Sequence, residues 1–141
     1  MQLPGEAKEI RGSNLREEKY PHKDITERII GCAIAVHKAL KSGFVEAVYE
    51  NALCHEMGKQ GICYERQNTV VVRYDGVPVG EHRIDVMVEK VVVVELKSVS
   101  DLTDQHLSQL MSTMKAAGVK VGLLMNFGEA RLIDGVRRVI M

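Results

Sequence analysis

The chain has 141 residues, of which 45% are hydrophobic and 27% charged, and Lys plus Arg balance Asp plus Glu at 19 each. This length fits one domain that can bury a proper core, and the composition is that of a soluble globular protein. The zero net charge excludes a protein that binds nucleic acid by bulk charge alone, so any such contact requires a local basic patch.

The sequence predicts neither a membrane contact nor an export signal. No apolar run approaches the ~20 residues that span a bilayer, and the polar N-terminus lacks the apolar centre of a signal peptide. We therefore expect a cytoplasmic protein. The cysteines Cys32, Cys54 and Cys63 are an odd number without a close pair, which favours reduced thiols over a disulfide or a zinc site.

The N-terminal part of the chain divides into a tail and the beginning of a domain. Residues 1–22 are polar and aperiodic, and we interpret them as a tail that precedes one domain over residues 23–141. Asp24 and Glu27 match a capping box, which predicts a helix from there to Ser42-Gly43.

A second helix is predicted over residues 45–60, with Gly61 as its stop. Its predicted inward face consists of Val45, Val48, Ala52 and Leu53. From Ile62 the period changes to that of strands, and Asp75-Gly76 is a strong hairpin signal. The antiparallel strands are predicted over residues 63–73, over residues 82–88 with 77–79 leading in, and along the stretch VVVVEL.

The C-terminal part returns to helical spacing over residues 103–117, and Gly118 is the predicted stop. A buried strand over residues 119–125 and an edge strand over residues 136–140 follow. The element order is helix, helix, antiparallel strands, helix and strand, which predicts an α/β fold with a mixed central β-sheet flanked by helices.

The stretch VVVVELKSV, residues 91–99, ends a strongly apolar strand in charge. Strand side chains alternate, so Glu95 and Lys97 share one face while Leu96 lies on the other. Charge in a sheet interior costs several kcal/mol unless it is paired, hydrated or bound to an ion. The simplest explanation is a salt bridge at the strand end. The rest of the sequence has to decide between this salt bridge and a functional site.

A second acid, Asp85, lies on the preceding strand in HRIDVMVEK. A loop with an odd number of residues centred on Lys90 sets Asp85 opposite Glu95, whereas a two-residue turn opposes Asp85 to Val94. Opposed residues have Cβ atoms only ~5 Å apart, where two anions repel strongly. Two carboxylates beside a lysine suit Mg²⁺, which takes oxygen ligands and keeps several waters.

Asp85 followed by Glu95-Leu96-Lys97 resembles the D…(D/E)xK core of the PD-(D/E)xK nuclease superfamily. Upstream, residues 43–49 read GFVEAVY and match the signature of the GxxExxY proteins, a bacterial and archaeal family of that superfamily. Asn126-Phe127-Gly128 is also similar to that family. The resemblance covers about residues 24–140 and implies a restriction-endonuclease-like core.

The resemblance also implies roles for individual residues. Asp85, Glu95 and the Leu96 carbonyl would ligate Mg²⁺ or Mn²⁺, and Glu46 would contribute directly or through water. Lys97 would orient or deprotonate the attacking water, and Gln109, on the following helix, would hold the lysine or the water. Related nucleases often read QxxxY there, whereas Thr113 replaces the aromatic residue in this chain.

Several of these residues also have a structural explanation. Glu46 fits a solvated helix acid and Tyr49 a core residue. Arg83 could contact a phosphate or form an ion pair with Asp85. Arg137 and Arg138 could form a basic rim of the site or simply be charged residues on an edge strand.

The leading functional hypothesis is a metal-dependent nuclease that hydrolyses phosphodiester bonds, of DNA in preference to RNA. A homodimer would allow both strands of a duplex to be cut. The alternative is a catalytically silent module of this fold that binds nucleic acid or a protein partner. A Schiff-base enzyme that uses Lys97 fits less well, because the nearby carboxylate raises the lysine pKa.

Overall fold

A computed structural model of the protein describes residues 8–10 and 20–141. The N-terminal half contains strand β1 (Lys8–Ile10), helices α1 (Lys23–Leu40) and α2 (Glu46–Lys59), and strands β2 (Tyr64–Tyr74) and β3 (Val77–Val88). The C-terminal half contains strand β4 (Val92–Lys97), helix α3 (Asp104–Ala117), strand β5 (Val121–Asn126), a short 3-10 helix (Leu132–Gly135) and strand β6 (Val136–Ile140).

The strands form one six-stranded mixed sheet in the order β1-β6-β5-β4-β3-β2. Strands β4 and β5 are parallel because helix α3 carries the chain across the sheet between them, and all other neighbours are antiparallel. This architecture confirms the predicted α/β fold with a mixed central sheet. The described part of the chain has no helix long and apolar enough to cross a membrane.

The two ends of the sheet differ from the sequence-based expectation. Strand β6 was predicted as an edge strand, but β1 pairs along its outer side, with Lys8 opposite Ile140. Strand β1 lies within the residues predicted as a polar tail, and it carries no periodic signal because it is only three residues long. The rest of that predicted tail, apart from residues 20–22, lies outside the described residues.

The core has two layers, one on each face of the sheet. Helices α1 and α2 cover one face, where Val92, Val94 and Leu96 of β4 are buried. Helix α3 covers the other face, where Val93 is buried with Leu110 and Met114 of that helix. The apolar run of β4 is thus explained by its central position, because a strand covered on both sides buries successive residues rather than alternate ones.

The predicted capping box at Asp24 and Glu27 does not form. Helix α1 begins at Lys23, its N-cap is His22 in a left-handed conformation, and no side chain caps it. Thr26 Oγ1 instead donates a hydrogen bond to the main-chain oxygen of Lys23 at 2.9 Å. Because Asp24 lies inside the first turn, its carboxylate faces the positive end of the helix dipole and does not act as a cap.

Helix α2 begins one residue later than predicted, and this changes its inward face. Val45 precedes the helix in an extended conformation, and its side chain is 69% exposed, so the prediction that it faces inward is wrong. The buried residues of the helix are Tyr49, Glu50, Leu53, Cys54 and Met57.

Both predicted hairpins form. In the first, Tyr74 pairs with Val77 across Asp75 and Gly76, which both have positive φ, as a tight two-residue turn requires. In the second, Val88 pairs with Val92, so the loop holds residues 89–91 and is centred on Lys90. This loop has the odd length that opposes Asp85 to Glu95.

Candidate active site

Strands β3 and β4 separate at Asp85 and Glu95. Their ladder ends with Val86 opposite Val94, and the next step in the same register sets the two acids opposite each other. Beyond this point the main-chain N–H of Leu96 donates to Asp85 Oδ2 at 3.0 Å. The Asp85 carboxylate thus replaces the main-chain acceptor that a continued ladder would have supplied.

The two carboxyl groups interact strongly. Burial, the negative charge of Asp85 and a hydrogen bond with the Asp85 side chain together raise the pKa of Glu95 from 4.5 to about 8, while Lys97 acts in the opposite direction. Asp85 itself is buried, with 8% of its surface exposed. The pair therefore holds a proton near neutral pH unless a cation takes the proton's place.

A large cleft of about 1300 Å³ opens beside Asp85, on the sheet face that α1 and α2 cover. Asp85, Leu96 and Glu46 line it, so three of the predicted metal-site residues share this cleft. The remaining wall comes from the loop before α2, the loop after β4 and the side chains of Glu50, Gln67 and Arg83.

A smaller cavity of about 270 Å³ opens beside Glu95, and Glu95, Lys97 and Gln109 line it. The other lining residues are Glu81, His82, Arg83, His106, Leu110 and Thr113. Asp85 and Glu95 thus line different cavities, and the expectation that both acids share one pocket with Glu46 and Lys97 is not met. The reason is the alternation along β4, which turns Leu96 to one face and its two charged neighbours to the other.

Arg83 lines both cavities and lies 4.0 Å from Asp85, measured between Nη2 and Oδ1. Its side chain is 67% exposed. An ion pair of this length with an exposed guanidinium contributes little to stability, so Arg83 is available to a ligand of either cavity.

The stretch GFVEAVY builds the mouth of the large cleft, and Tyr49 is its structural centre. Tyr49 is fully buried and stacks on Phe127 with a centroid distance of 4.6 Å. Its hydroxyl donates to the main-chain oxygen of Lys41 and accepts from the N–H of Phe44 at 3.2 Å. Tyr49 therefore holds the loop before α2 in place, while Glu46, one turn away, is exposed on the cleft wall.

Glu50 is a residue of the cleft that the sequence analysis did not identify. Only 7% of its surface is exposed. Its Oε2 accepts hydrogen bonds from Nε and Nη2 of Arg66 at 3.0 and 2.8 Å, and its Oε1 accepts from Nε2 of Gln67 at 2.7 Å. Glu50 thus ties helix α2 to strand β2 with charge-assisted bonds.

Gln67 lies at a break in the sheet, opposite Asp85. The β2–β3 ladder pairs Arg66 with Val86 and Asn68 with Ile84, and it skips the two residues between them. Gln67 has φ 54°, a left-handed conformation that is uncommon for residues other than glycine. The strands on both sides of Asp85 are thus interrupted at the same level, which opens the space around its carboxylate.

Asn126 and Gly128 hold the loop that follows β4. Asn126 Oδ1 accepts from the N–H of Val99 at 3.0 Å, and its Nδ2 donates to the oxygen of Val99 at 2.9 Å. A Cβ on Gly128 would lie 2.1 Å from the same oxygen, so only glycine fits. The stretch Asn126-Phe127-Gly128 therefore fixes a wall of the large cleft.

The donor set fits a hard divalent cation. The Asp85 and Glu95 carboxyl groups interact closely enough that a cation could take the place of their shared proton, and the Leu96 peptide lies beside them. Within residues 8–10 and 20–141, no three His, Cys, Asp or Glu side chains are grouped closely enough to hold a metal ion. A cation here would thus take two protein carboxylates as ligands and complete its coordination shell with carbonyl and water oxygens. Direct ligation by Glu46 stays a prediction.

One family comparison gives a match. A model of the PD-(D/E)XK nuclease superfamily matches residues 23–139, which include both cavities and all the residues predicted for the site. Neither a curated protein nor a solved structure matches the chain.

Proposed function

Since the chain belongs to the PD-(D/E)XK nuclease superfamily, we propose that it is a metal-dependent nuclease that hydrolyses phosphodiester bonds, of DNA in preference to RNA. The observation that carries this proposal is the interaction between the buried carboxyl group of Asp85 and the half-buried carboxyl group of Glu95. Crowded acids destabilise a fold, so their placement at a break in the sheet supports a functional role. The match to the GxxExxY signature supports membership of that family.

Nucleases of this superfamily generally use divalent metal ions, and we propose Mg²⁺ or Mn²⁺ here. Asp85, Glu95 and the Leu96 carbonyl would hold the ion, with Glu46 in reach through water across the cleft. When bound, such an ion supplies positive charge that activates water and offsets the charge of a phosphate.

Lys97 would act on the water and the phosphate. It lies on the same face of β4 as Glu95 and lines the smaller cavity with it. Its ammonium donates hydrogen bonds to an attacking water and can neutralise a phosphate oxygen. Gln109 lines the same cavity from helix α3 and would hold the lysine or the water in place.

The proposed partner is a nucleic acid, and a local basic patch has to bind it because the chain has no net charge. Arg83 and Lys97 line the cavities and would supply single phosphate contacts, although Glu81 and Glu95 share the smaller cavity with them. Arg138 does not contribute, because it is only 7% exposed on the covered strand β6. Cleavage of both strands of a duplex would further require a homodimer.

The test is incubation of the purified protein with single- and double-stranded DNA and RNA in Mg²⁺ or Mn²⁺. Cleavage by the parent, its loss in Glu95→Ala and its retention in Glu56→Gln would support the proposal. Glu56 is a matched control because it lies on helix α2 and lines neither cavity. Equal cleavage by the parent and by Glu95→Ala would show that this site does not carry the activity, and an inactive parent would favour a silent binding module.

A further inference from the structure

The smaller cavity contains two histidines that the proposed mechanism does not use. His82 enters it from strand β3 and His106 from the first turn of helix α3, and both line it together with Glu95 and Lys97. Their hydrogen bonds assign a different tautomer to each ring.

His106 is fixed by the cap of helix α3. The main-chain N–H of Thr103 donates to His106 Nδ1 at 3.1 Å, and the N–H of His106 donates to Thr103 Oγ1 at 3.2 Å. A main-chain amide can only donate, so Nδ1 is the acceptor and the neutral ring carries its proton on Nε2. His106 therefore presents a hydrogen-bond donor on the ring edge that faces away from the cap.

His82 has the opposite assignment. Thr113 Oγ1 donates its one hydrogen to the main-chain oxygen of Gln109 at 3.0 Å. Its contact with His82 Nδ1 at 3.1 Å must then be accepted by the hydroxyl, so Nδ1 carries the proton of the neutral ring. The remaining nitrogen of His82, Nε2, is an acceptor. Thr113, which stands where related nucleases often have a tyrosine, thus sets this tautomer.

We propose that His106 is a substrate-binding residue whose Nε2–H donates a hydrogen bond to a non-bridging phosphate oxygen of the nucleic acid strand. Phosphate oxygens only accept hydrogen bonds, so the donor His106 fits a phosphate and the acceptor His82 does not. This inference rests on the proposed nuclease function and deepens it by naming the group that contacts the strand beside Lys97.

The charges of the cavity explain why a directed donor is needed. Arg83 and Lys97 are balanced by Glu81 and Glu95, which line the same cavity. An anion therefore gains little from bulk charge at this place and depends on hydrogen-bond donors held in a fixed orientation. The capping bonds hold the imidazole of His106 in such an orientation.

Two substitutions of His106 separate the cap from the donor. In His106→Asn, the short side-chain oxygen can replace Nδ1 as the acceptor of the Thr103 N–H, but the distal donor is lost. In His106→Gln, the side-chain oxygen can accept the Thr103 N–H as in the usual capping box, and the amide NH₂ still offers a donor. His82→Asn is the matched control, because its amide can still donate to Thr113.

The experiment measures the binding of a fluorescein-labelled single-stranded oligodeoxynucleotide by anisotropy, in Ca²⁺ in place of Mg²⁺, together with the melting temperature of each protein. We expect roughly tenfold weaker binding for His106→Asn with an unchanged melting temperature. His106→Gln should melt close to the parent and bind within about threefold of it, because its amide keeps both the cap and a donor, and His82→Asn should bind like the parent.

Three results would overturn the inference. Parent-like binding by His106→Asn would show that the distal nitrogen has no ligand, and equal losses in both His106 variants would show that the loss does not come from the donor. A tenfold loss in His82→Asn would show that the effect is not specific to the donor. Failure of the parent itself to bind the oligonucleotide would instead count against the proposed function, and the inference would fall with it.

Discussion

The buried carboxylate of Asp85 accepts the main-chain N–H of Leu96 at 3.0 Å, at the level where strand β4 leaves strand β3. This bond holds Asp85 beside Glu95 although the two acids repel each other. The metal-free protein therefore contains an electrostatic strain that can be relieved in two ways, by a proton or by a cation, and the two have different experimental signatures.

Replacement of Glu95 by glutamine should remove the repulsion without changing the shape of the side chain. We expect Glu95→Gln to melt at or above the temperature of the parent in chelator, because the amide can donate to Asp85. A divalent ion that binds the folded parent at a hundredfold excess over its Kd should stabilise the parent by ~2.7 kcal/mol, and the variant by much less.

Thermal melts of both proteins in chelator and in Mn²⁺ test this prediction. A simple salt bridge between Glu95 and Lys97 would give the opposite result in chelator, because the substitution would leave the lysine without its partner and lower the melting temperature. A parent that shows no shift at millimolar Mn²⁺ would argue against a metal site in the isolated chain.

The stability of the metal-free protein should also depend on pH. The pKa of Glu95 is raised from 4.5 to about 8 in the folded state, so between these values the folded protein holds a proton that the unfolded chain has released. The stabilisation from this proton is complete below pH 4.5 and is lost as the pH rises through 8. Between pH 6 and pH 9, the free energy of unfolding should fall by about 2–3 kcal/mol.

Urea unfolding in chelator at several pH values measures this loss. Glu95→Gln has no carboxyl group at this position, so its free energy of unfolding should change much less over the same range. If the parent and the variant lose stability in parallel, Glu95 is not the group responsible.

Lys97 should act in catalysis and not in metal binding. We expect Lys97→Ala to reduce the rate of cleavage at least about a hundredfold while its Kd for Mn²⁺, measured by calorimetry, stays close to that of the parent. Lys90→Ala, in the turn between β3 and β4, is the control and should cleave normally. Unchanged cleavage by Lys97→Ala would remove the lysine from the mechanism.

Glu50 should matter for stability far more than Glu46, although both are acids on helix α2. Glu50→Gln leaves the Arg66 guanidinium without its charged partner, and we expect a loss of about 2 kcal/mol in urea unfolding. Glu46 is exposed, and Glu46→Gln should stay within about 0.5 kcal/mol of the parent. Similar losses in the two variants would show that the Glu50 contacts do not stabilise the fold.

Arg138 should be replaceable with a gain in stability. It is 7% exposed, and its Nε and Nη1 have no hydrogen-bond partner within the part of the chain that the structure describes. Burial lowers its pKa, as expected for a charge held away from water. Arg138→Met should therefore unfold at higher urea, by about 1 kcal/mol, whereas the control Arg131→Met, with a 75% exposed side chain, should not. A loss of stability in Arg138→Met would indicate a partner for the guanidinium.

The pairing of Val86 with Val94, which brings Asp85 and Glu95 next to each other where the two strands separate, could be predicted from the sequence because it depends on local rules. Side-chain alternation and the length of one hairpin loop fix which residues face each other. The charged residues in VVVVELK mark the end of the buried part of the strand. The order of helices and strands follows from periodicity for the same reason. These features are set within a few residues along the chain.

The features that could not be predicted depend on contacts between distant residues. Glu50 is also a glutamate and lies on helix α2 one turn after Glu46, so both residues share one face of the helix. Only the contact of Glu50 with Arg66 on strand β2 distinguishes them. The left-handed conformation of Gln67 has no sequence signal, because it is imposed by its surroundings. The separation of the site into two cavities follows from this break and from the alternation of β4 together.

The pairing of β1 with β6 has a consequence for the order of folding. Lys8 and Ile140 lie near the two ends of the chain, so their pairing closes the longest loop in the sheet and has a large entropic cost for only three residues of ladder. We expect this strand to dock after the remaining sheet has formed and to open first in hydrogen exchange. Until it docks, strand β6 exposes an unpaired edge to other chains.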